Sequence, residues 1–389
     1  MDVQKATPID AAVAARLGEF VSLRRDLHRH PELAFKEKRT SALVAERLIA
    51  YGYEVSEGLG GTGVVGVLRK GNGSKRLALR ADMDGLPIGE QTGVDYSSQN
   101  AGVMHACGHD GHTAVLLLAA KALSESHFSG TLILIFQPAE EIGAGAQRLI
   151  SEGLFDRFPV DAIFGLHNWP GEPLGQFGFI SGPAMAAIDR PIVRIVGHGG
   201  HGASPHETVD PVVAACSVVL ALQTIISRNI DSREAAVISV GSIHGGEASN
   251  VVPDSVELKL TIRSFDAQVR DQLEKRISEL VRLQAKSYGA SAEIDYMRGF
   301  PALINHPIET SLARDVALSM FGKELVVSDL KPRMASEDFA HYLRARPGCF
   351  LFVGNGESAP LHSARYNFND AVMGPAATLW VRLAQTFLA

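Results

Sequence analysis

The sequence predicts an α/β protein whose main domain has a mostly parallel sheet with helices on both faces, and which carries a smaller inserted domain of ferredoxin-like α+β topology. The chain has 389 residues, more than the roughly 250–300 residues at which single hydrophobic cores stop growing. Short β-rich runs alternate with helical patterns up to about residue 185, which is typical of a parallel sheet. From residue 186 the order changes to βαββαβ.

Two helical patterns open the main domain. One apolar face begins after Asp10, and a second helix, capped by Thr40, is expected to end at Gly52. Strands are then expected at 64–68, 77–80, 131–136 and 162–166, and helices at 113–124 and 144–150. Because ligands of such sheets gather beyond the carboxyl ends of the strands, polar residues that directly follow a strand are the functional candidates.

The inserted domain is predicted over residues 186–297, and the main domain over 1–185 and 298–389. Within the insert the pattern indicates strands at 190–196, 236–242, 257–264 and 292–297, with helices at 210–226 and 267–288. This order is that of the split βαβ unit, which forms a compact domain of its own.

Composition and charge exclude several classes of partner. The formal net charge is −6, from 37 basic and 43 acidic residues, so no basic field would attract nucleic acid or an anionic membrane. Three scattered cysteines favour a reducing compartment over a disulfide framework. The first twenty residues lack a signal-peptide pattern, and the apolar run at 212–222 is too short to span a bilayer. We therefore expect a soluble cytoplasmic protein that binds a small molecule, with no nucleic-acid or membrane partner.

The segment HACGHDGH, residues 105–112, is the densest group of possible metal ligands in the chain. Cys107 and His109 are two positions apart, and they can point at one centre only where the backbone is irregular or extended, as Gly108 permits. Taken alone, a Cys-x-His pair is a weak motif. Histidines are also common in ordinary loops.

Further candidates follow the predicted strands. Glu140 and Glu141 come after one strand, His167 after the next, and His362 lies in PLHS near the C-terminus. Thiolate, imidazole and carboxylate ligands together suit a borderline divalent ion such as zinc, manganese, cobalt or nickel.

Each of these candidates also has an explanation that involves no function. The two glutamates could be a solvated pair at a helix start, although metal catalysis gives adjacent acids separate roles, one as ligand and one as general base. His167 by itself could be an ordinary buried histidine. Asp82 could cap the turn before Gly85, or its carboxylate could accept the second ring proton of a ligating histidine.

The chain resembles the M20 metallopeptidase group, in particular its aminoacylase, hippurate hydrolase and auxin-conjugate amidohydrolase branch. The resemblance covers essentially the whole chain and rests on motifs that occur in a fixed order: ALRADMDGLPI, MHACGHDGH, FQPAEE, FGLHNWP, GHGGHGASPH, SNVVPD and SEDFA. It implies a catalytic α/β domain with a two-metal centre and a ferredoxin-like lid domain that also dimerises.

The resemblance also implies roles for single residues. The implied metal ligands are Cys107, His109, Glu141, His167 and His362. They would hold two divalent ions per subunit, which could be Mn, Zn, Co or Ni. Glu140 would be the general base. Asp82 is expected among the catalytic residues as the carboxylate that accepts the second ring proton of a ligating histidine. Cys107 stands where relatives outside the branch have a bridging carboxylate, and Arg80 where they have a histidine ligand, so metal preference does not transfer from them.

Three residues of the insert complete the implied site. His201, in GHGGHGASPH, would stabilise the oxyanion of the reaction, reaching the substrate from the partner subunit, with Asn250 nearby. Arg263 could hold a substrate carboxylate through its planar guanidinium. Without the resemblance, the glycine-rich segment would be interpreted as a flexible turn with solvated histidines, and Arg263 as a surface charge.

The expected function is that of a metal-dependent amidohydrolase. It would cleave N-acyl amino acids, such as hippurate-like or N-acetyl substrates, to a carboxylic acid and a free amino acid, as a homodimer or higher homo-oligomer. Three alternatives stay open: a thiol hydrolase with Cys107 as nucleophile, a dipeptidase of the same two-metal type, and a non-catalytic relative that keeps its metals.

Overall fold

The structure is a computed structural model that describes residues 9–328 and 330–389. Two compact units divide the chain. The first comprises the described residues up to Gly182 together with Ile304–Lys331 and Asp338–Ala389, and the second comprises Pro183–Leu303 and Pro332–Glu337.

The helices lie in both units. In chain order they are α1 (Ala11–Ala14), α2 (Leu17–Arg29), α3 (Lys38–Ala50), α4 (His109–Glu125), α5 (Gly145–Ser151), α6 (Leu154–Arg157), α7 (Pro211–Arg228), α8 (Ala267–Ser287), α9 (Pro307–Phe321), α10 (Ala340–Ala345) and α11 (Met373–Phe387).

The strands form two main sheets and two short ribbons. In chain order they are β1 (Glu54–Leu59), β2 (Gly63–Lys70), β3 (Arg76–Asp82), β4 (Gly130–Gln137), β5 (Ala162–Pro170), β6 (Phe177–Gly178), β7 (Gly182–Met185), β8 (Ala187–Val196), β9 (Gly200–His201), β10 (Ala236–His244), β11 (Val251–Val252), β12 (Ser255–Ser264), β13 (Ser291–Arg298), β14 (Leu303–Asn305), β15 (Val326–Val327) and β16 (Gly348–Gly356).

An eight-stranded sheet of order β1-β2-β4-β3-β5-β16-β6-β15 forms the centre of the first unit. Its middle strands, β4, β3, β5 and β16, run parallel, while β1, β2 and β6 add antiparallel pairs. Parallel strands are apolar along their length because helices cover them, and β3 and β4 are buried accordingly. The predicted fold class is confirmed.

Helix α4 is almost wholly buried and packs against α2, α11 and β3. It begins at His109, four residues before the predicted start, because the polar residues of its first turn hide the apolar periodicity. Gly108 precedes it with φ 91°, in the left-handed region. A side chain at 108 would also come within 2.3 Å of Asn168 Nδ2 and 2.5 Å of Tyr366 Oη, so only glycine fits at this helix start.

The second unit is a four-stranded antiparallel sheet of order β10-β12-β8-β13 with helices α7 and α8. Its chain order, β8-α7-β10-β12-α8-β13, is the expected βαββαβ. Asp266 caps α8 by accepting hydrogen bonds from two N–H groups of the first turn, and α8 buries one side chain per turn, at Leu273, Ile277 and Val281 among others. The segment Pro332–Glu337 also belongs to this unit, from outside the predicted insert.

Helix α7, Pro211–Arg228, is long and apolar enough to cross a membrane, and it is the one helix of the described residues that meets this test. Its buried side chains, which include Ala214, Val218, Leu222 and Ile225, join the core of the second unit. A helix at the core of a globular domain has the same composition, so this match is weak evidence for a membrane span.

Candidate metal centre

The candidate site lies at the edge of the main sheet where the parallel strands end. Asp82 and Gln137 are the last residues of β3 and β4 and lie side by side in the ladder. His167 lies in β5, beside Phe352 of β16. The N-terminus of α4 begins at the same place, at His109. Helix α4 has 17 residues, and the positive end of its dipole points toward the anionic side chains at this edge of the sheet.

The five side chains expected to bind metal converge in the first unit. One potential ligand atom from each of Cys107, His109 and His167 lies within 4.8 Å of the others, and the same holds for Cys107, Glu141 and His362. The two groups share Cys107, whose Sγ is 3.3 Å from His167 Nε2. His362 Nε2 is 3.3 Å from Glu141 Oε2. Residues far apart in sequence therefore form one cluster.

Hydrogen bonds orient two of these imidazoles toward the cluster. His167 Nδ1 lies 2.6 Å from the carbonyl of Asn168, and His109 Nδ1 lies 3.3 Å from Asp84 Oδ1. Both contacts fix the proton on Nδ1 and leave the Nε2 lone pair for a cation. His109 Nε2 and Glu141 Oε1 are buried and have no hydrogen-bond partner among the described residues. Buried polar atoms without partners are costly, so these two atoms fit a site built to hold cations.

Asp84, and not Asp82, makes the contact with the second ring nitrogen of a candidate ligand that the sequence interpretation expected of Asp82. The carboxylate that meets the second ring nitrogen of His109 belongs to Asp84, whereas Asp82 Oδ1 lies 2.7 Å from Nδ1 of His112. Asp82 Oδ2 accepts from Arg80 Nη1 at 2.6 Å. Arg80 is fully buried and also reaches Asp338 at 3.2 Å. The two aspartates are two residues apart, and only the packing of α4 decides which of them meets His109.

His112 is a supporting residue. Its Nε2 accepts a hydrogen bond from the Asn168 N–H at 3.1 Å, and its Nδ1 is bonded to Asp82, so both ring nitrogens are engaged. The Asn168 amide donates to the Cys107 carbonyl at 2.8 Å and accepts from the Tyr366 hydroxyl at 2.7 Å. Sequence reasoning placed Asn168 at a strand end without giving it a role, and it missed Tyr366. The available signal was that Asn168 follows His167 at a strand end.

The electrostatics of the cluster favour a positive charge at its centre. Burial opposes protonation of His109, but the Asp82, Asp84 and Glu141 carboxylates outweigh it and raise the pKa of His109 to about 10. Burial raises the pKa of Glu141 to about 7. Burial and then the Glu141 carboxylate raise the pKa of the Cys107 thiol well above its usual value. A bound cation would reverse this last effect and stabilise the thiolate.

The same observation argues against Cys107 as a catalytic nucleophile. A nucleophilic cysteine needs a depressed pKa, supplied by a cationic or helix-terminal environment. At Cys107, burial and then the Glu141, Glu140 and Asp82 carboxylates raise the pKa of the thiol. The pKa of the neighbouring His167 is lowered, first by burial, well below its usual value. The Cys107–His167 pair therefore lacks the low thiol pKa that thiolate attack requires.

Glu140 lies beside the cluster, buried, with Oε2 4.0 Å from His109 Nε2. Its backbone is fixed, because the N–H groups of Glu140 and Glu141 donate to the two oxygens of Asp84 at 3.1 and 3.0 Å. Helix α5 begins directly against this loop at Gly145, where a Cβ atom would lie 1.8 Å from the Pro138 carbonyl oxygen. The loop thus has one closely packed conformation.

The remaining predicted residues belong to the second unit. His201 is exposed, in the ribbon β9–β11, and its Nδ1 accepts the Ala203 N–H at 3.0 Å. Asn250 is next to it, since its carbonyl accepts the Gly202 N–H at 2.8 Å. Arg263, in β12, is half-buried and donates to the Ser336 hydroxyl. The structure therefore brings His201 and Asn250 together and places Arg263 in the neighbouring sheet.

Comparisons with known proteins show the family of the chain. The sequence model of Peptidase family M20/M25/M40 matches residues 78–386. The hippurate hydrolase of Campylobacter jejuni is 41% identical over 371 residues, covering 95% of this chain and 97% of that protein. The N-acetyl-L-cysteine deacetylase of Bacillus subtilis is 38% identical, covering 99% and 91%.

Among solved structures, a dinuclear metal binding peptidase of the M20 family from Bacillus subtilis is similar along its whole length. It is 31% identical with a TM-score of 0.84, and the alignment covers 96% of this chain and 99% of that one. The family match extends over most of the chain, and relatives of this identity cover nearly all of it. Together they establish the family. The chain belongs to peptidase family M20/M25/M40.

Proposed function

We propose that this protein is a metal-dependent amidohydrolase that cleaves the amide bond of N-acyl amino acids to give a carboxylic acid and a free amino acid. The observation that carries the proposal is the convergence of Cys107, His109, Glu141, His167 and His362, with Glu140 beside them. Two atoms of this cluster, His109 Nε2 and Glu141 Oε1, are buried and have no hydrogen-bond partner in the part of the chain that the structure describes. The similarity to hippurate hydrolase and to N-acetyl-L-cysteine deacetylase supports this substrate class.

The residues that would hold metal are Cys107, His109, Glu141, His167 and His362. Three imidazoles, one thiolate and one carboxylate suit borderline ions, so we infer two divalent ions per subunit drawn from Mn, Zn, Co and Ni. When bound, such ions polarise the substrate carbonyl and lower the pKa of the attacking water.

Glu140 would perform the proton transfers. Its neighbour Glu141 would be engaged by metal, while the Glu140 carboxylate would take a proton from the attacking water and return it to the leaving nitrogen. Because Asp84 fixes the backbone of both glutamates, the two carboxylates keep separate positions and separate roles. Burial of Glu140 removes competing water and strengthens its interactions with charge that develops in the transition state.

Three further residues, His201, Asn250 and Arg263, would recognise the substrate. We infer that His201 donates to the oxyanion, with Asn250 adjacent, and that Arg263 binds the carboxylate of the amino acid. Burial lowers the pKa of Arg263 from its ordinary value. A partly desolvated guanidinium gains more from pairing with a carboxylate than one in open water.

The testing experiment combines metal analysis with a release assay. Protein purified without chelator should contain divalent metal, and it should release amino acid from a set of N-acyl amino acids. Glu140→Gln should keep its metal and lose at least about a hundredfold in kcat, while Glu141→Gln should lose both metal and rate. Undiminished activity in Glu140→Gln would disprove its role as base.

A dipeptidase of the same type is the second candidate, favoured by the similar Bacillus subtilis structure, which is described as a peptidase. Comparing kcat/KM for N-acyl amino acids with that for dipeptides decides between them. Removing metal with a chelator should abolish either activity, and metal should restore it. A relative without catalytic activity would show no turnover with either class and would lose stability with its metal.

A homodimer formed through the second unit remains a prediction, as does a cytoplasmic location. Light scattering coupled to size-exclusion chromatography measures the oligomeric state. If His201 acts across subunits, mixing His201→Ala with Glu140→Gln should restore some activity, because a mixed dimer contains one complete site. No recovery would indicate that His201 acts within its own chain.

A further inference from the structure

We propose that Glu37 is a positioning residue for the catalytic base, because its buried carboxylate holds Ala139, the residue before Glu140, in a left-handed backbone conformation. This inference rests on the proposed function, in which Glu140 transfers the proton. Sequence reasoning gave Glu37 no role.

Glu37 is fully buried. It is far in sequence from the residues of the metal cluster. Its Oε1 accepts two backbone N–H groups, from Phe35 at 3.0 Å and from Ala139 at 2.9 Å. Its Oε2 accepts the Thr62 hydroxyl at 2.5 Å. Burying a carboxylate is costly unless hydrogen bonds compensate, and here most of the compensation comes from loop backbone.

The sequence position of Glu37 would suggest a helix cap, but the structure uses it differently. Helix α3 begins at Lys38, and the Glu37 side chain makes no capping hydrogen bond to it. Glu32 takes that role, accepting the N–H groups of Arg39 and Thr40 at 2.9 and 2.8 Å. The Glu37 carboxylate is thereby left to bind the loop at Ala139.

The two backbone donors to Glu37 are both strained. Among the described residues, three non-glycine residues have positive φ: Phe35 at 61°, Ala139 at 56° and His362 at 63°. Left-handed backbone is unfavourable for L-residues with a Cβ atom and persists only where the surroundings hold it. Two of these three residues donate to the same oxygen of Glu37.

Two buried carboxylates therefore hold three successive N–H groups. Glu37 binds that of Ala139, and Asp84 binds those of Glu140 and Glu141. If the first contact is lost, Ala139 can relax toward negative φ. Since φ of Ala139 sets the direction in which the chain enters Glu140, relaxation would displace the base relative to His109.

The experiment compares Glu37→Ala with two matched variants. In Glu37→Gln the amide oxygen can still accept both N–H groups, while its nitrogen faces the Thr62 hydroxyl, which can turn to accept. Thr62→Val removes only the contact to Oε2. We expect both variants to resemble the wild type, whereas Glu37→Ala leaves the Ala139 N–H without its acceptor.

The first measurement is hydrogen exchange by mass spectrometry on metal-free protein. Peptides covering residues 137–144 should exchange roughly tenfold faster in Glu37→Ala. Peptides covering Phe35 should also exchange faster, because its N–H loses the same acceptor, and the rest of the first unit should be unchanged. The second measurement is steady-state kinetics of the metal-loaded enzyme. Here kcat should fall roughly 10- to 100-fold with KM within about twofold, as expected for a displaced catalytic group.

Unchanged exchange at 137–144 in Glu37→Ala would overturn the proposal, as would a loss of kcat in Glu37→Gln as large as in Glu37→Ala. If Glu37→Ala does not fold, Glu37→Asp replaces it. That variant keeps the charge but is one methylene too short to reach Ala139, so it should loosen the same peptides. The exchange comparison needs no substrate, so it tests Glu37 even if the proposed amidohydrolase activity fails.

Discussion

Replacing His28 by glutamine should remove a pH-dependent part of the stability of the first unit. His28 is fully buried in α2, with Nδ1 2.8 Å from Asp110 Oδ2 and Nε2 3.3 Å from Glu90 Oε1. Burial opposes a charge on this ring, but the Asp110 carboxylate and the hydrogen bonds to both acids outweigh it and raise the pKa of His28 to about 9.

The size and sign of the effect follow from that pKa. A rise from 6.5 to about 9 corresponds to about 3 kcal/mol of stabilisation of the folded state. Because the pKa is raised on folding, this contribution is fully present below about pH 6.5 and is lost as the pH rises through about 9. The same attraction lowers the pKa of Asp110. The figure of about 3 kcal/mol therefore belongs to the interaction as a whole, and the shift of Asp110 adds nothing to it.

Tryptophan fluorescence can follow the first unit by itself. The chain has two tryptophans, Trp169 and Trp380, and both belong to the first unit. Urea unfolding at about pH 6 and about pH 9.5 should show the wild type losing about 3 kcal/mol more than His28→Gln between the two values. With a urea m-value near 3 kcal/mol/M this is a midpoint difference of about 1 M.

Parallel losses of stability in the two proteins would refute this reasoning. The same conclusion would follow if an NMR titration of His28 showed its ring deprotonating near its ordinary pKa of 6.5. Either result would mean that the carboxylates do not outweigh burial at this position.

Three further substitutions test other parts of the structure. Gly145→Ala would place a Cβ atom 1.8 Å from the Pro138 carbonyl, so the loop must shift, and kcat should fall while metal content, measured by elemental analysis, is largely kept. Arg270→Ala leaves the carboxylate of Asp189, 1% exposed, without its guanidinium and should destabilise the second unit by about 3–5 kcal/mol. Faster hydrogen exchange in that unit, with unchanged tryptophan fluorescence, would be the expected result. Asn305→Ala removes an amide that bonds three buried backbone groups and should cost about 2–4 kcal/mol, seen as a lower thermal midpoint by fluorescence.

Much of the fold could be predicted because its signals are local. Helix α8 follows its capping residue Asp266 and buries Leu273, Ile277 and Val281 at four-residue spacing, so composition and periodicity suffice to place it. The start of α4 could not be placed in this way. His109 and Asp110 are polar yet buried, because they face the candidate site and a charge network within the first unit.

The sequence pointed to the side chains that converge at the candidate site, and not to the groups that hold them in position. Cys107, His109 and His167 were predicted as ligands because strand ends and family motifs both point to them, and the structure brings them close together. Their role as ligands stays a prediction. Asp84 was missed as the partner of His109, and Glu37 as the partner of Ala139. Nothing in the local sequence distinguishes these carboxylates from solvated ones.

The sequence by itself determined the alternation of strands and helices, the insertion of a second unit with βαββαβ order, and the set of side chains that we propose as ligands of divalent ions. These properties depend on neighbours within about one helical turn or one strand. At that range the spacing of residues along the chain determines which side chains share a face. Only the tertiary structure decided which carboxylate orients His109, which nitrogen of each imidazole faces the cluster, and how the loop before Glu140 is held. Those contacts join residues separated by 25 to more than 100 positions, and hydrogen bonds at about 3 Å depend on packing that no local pattern encodes.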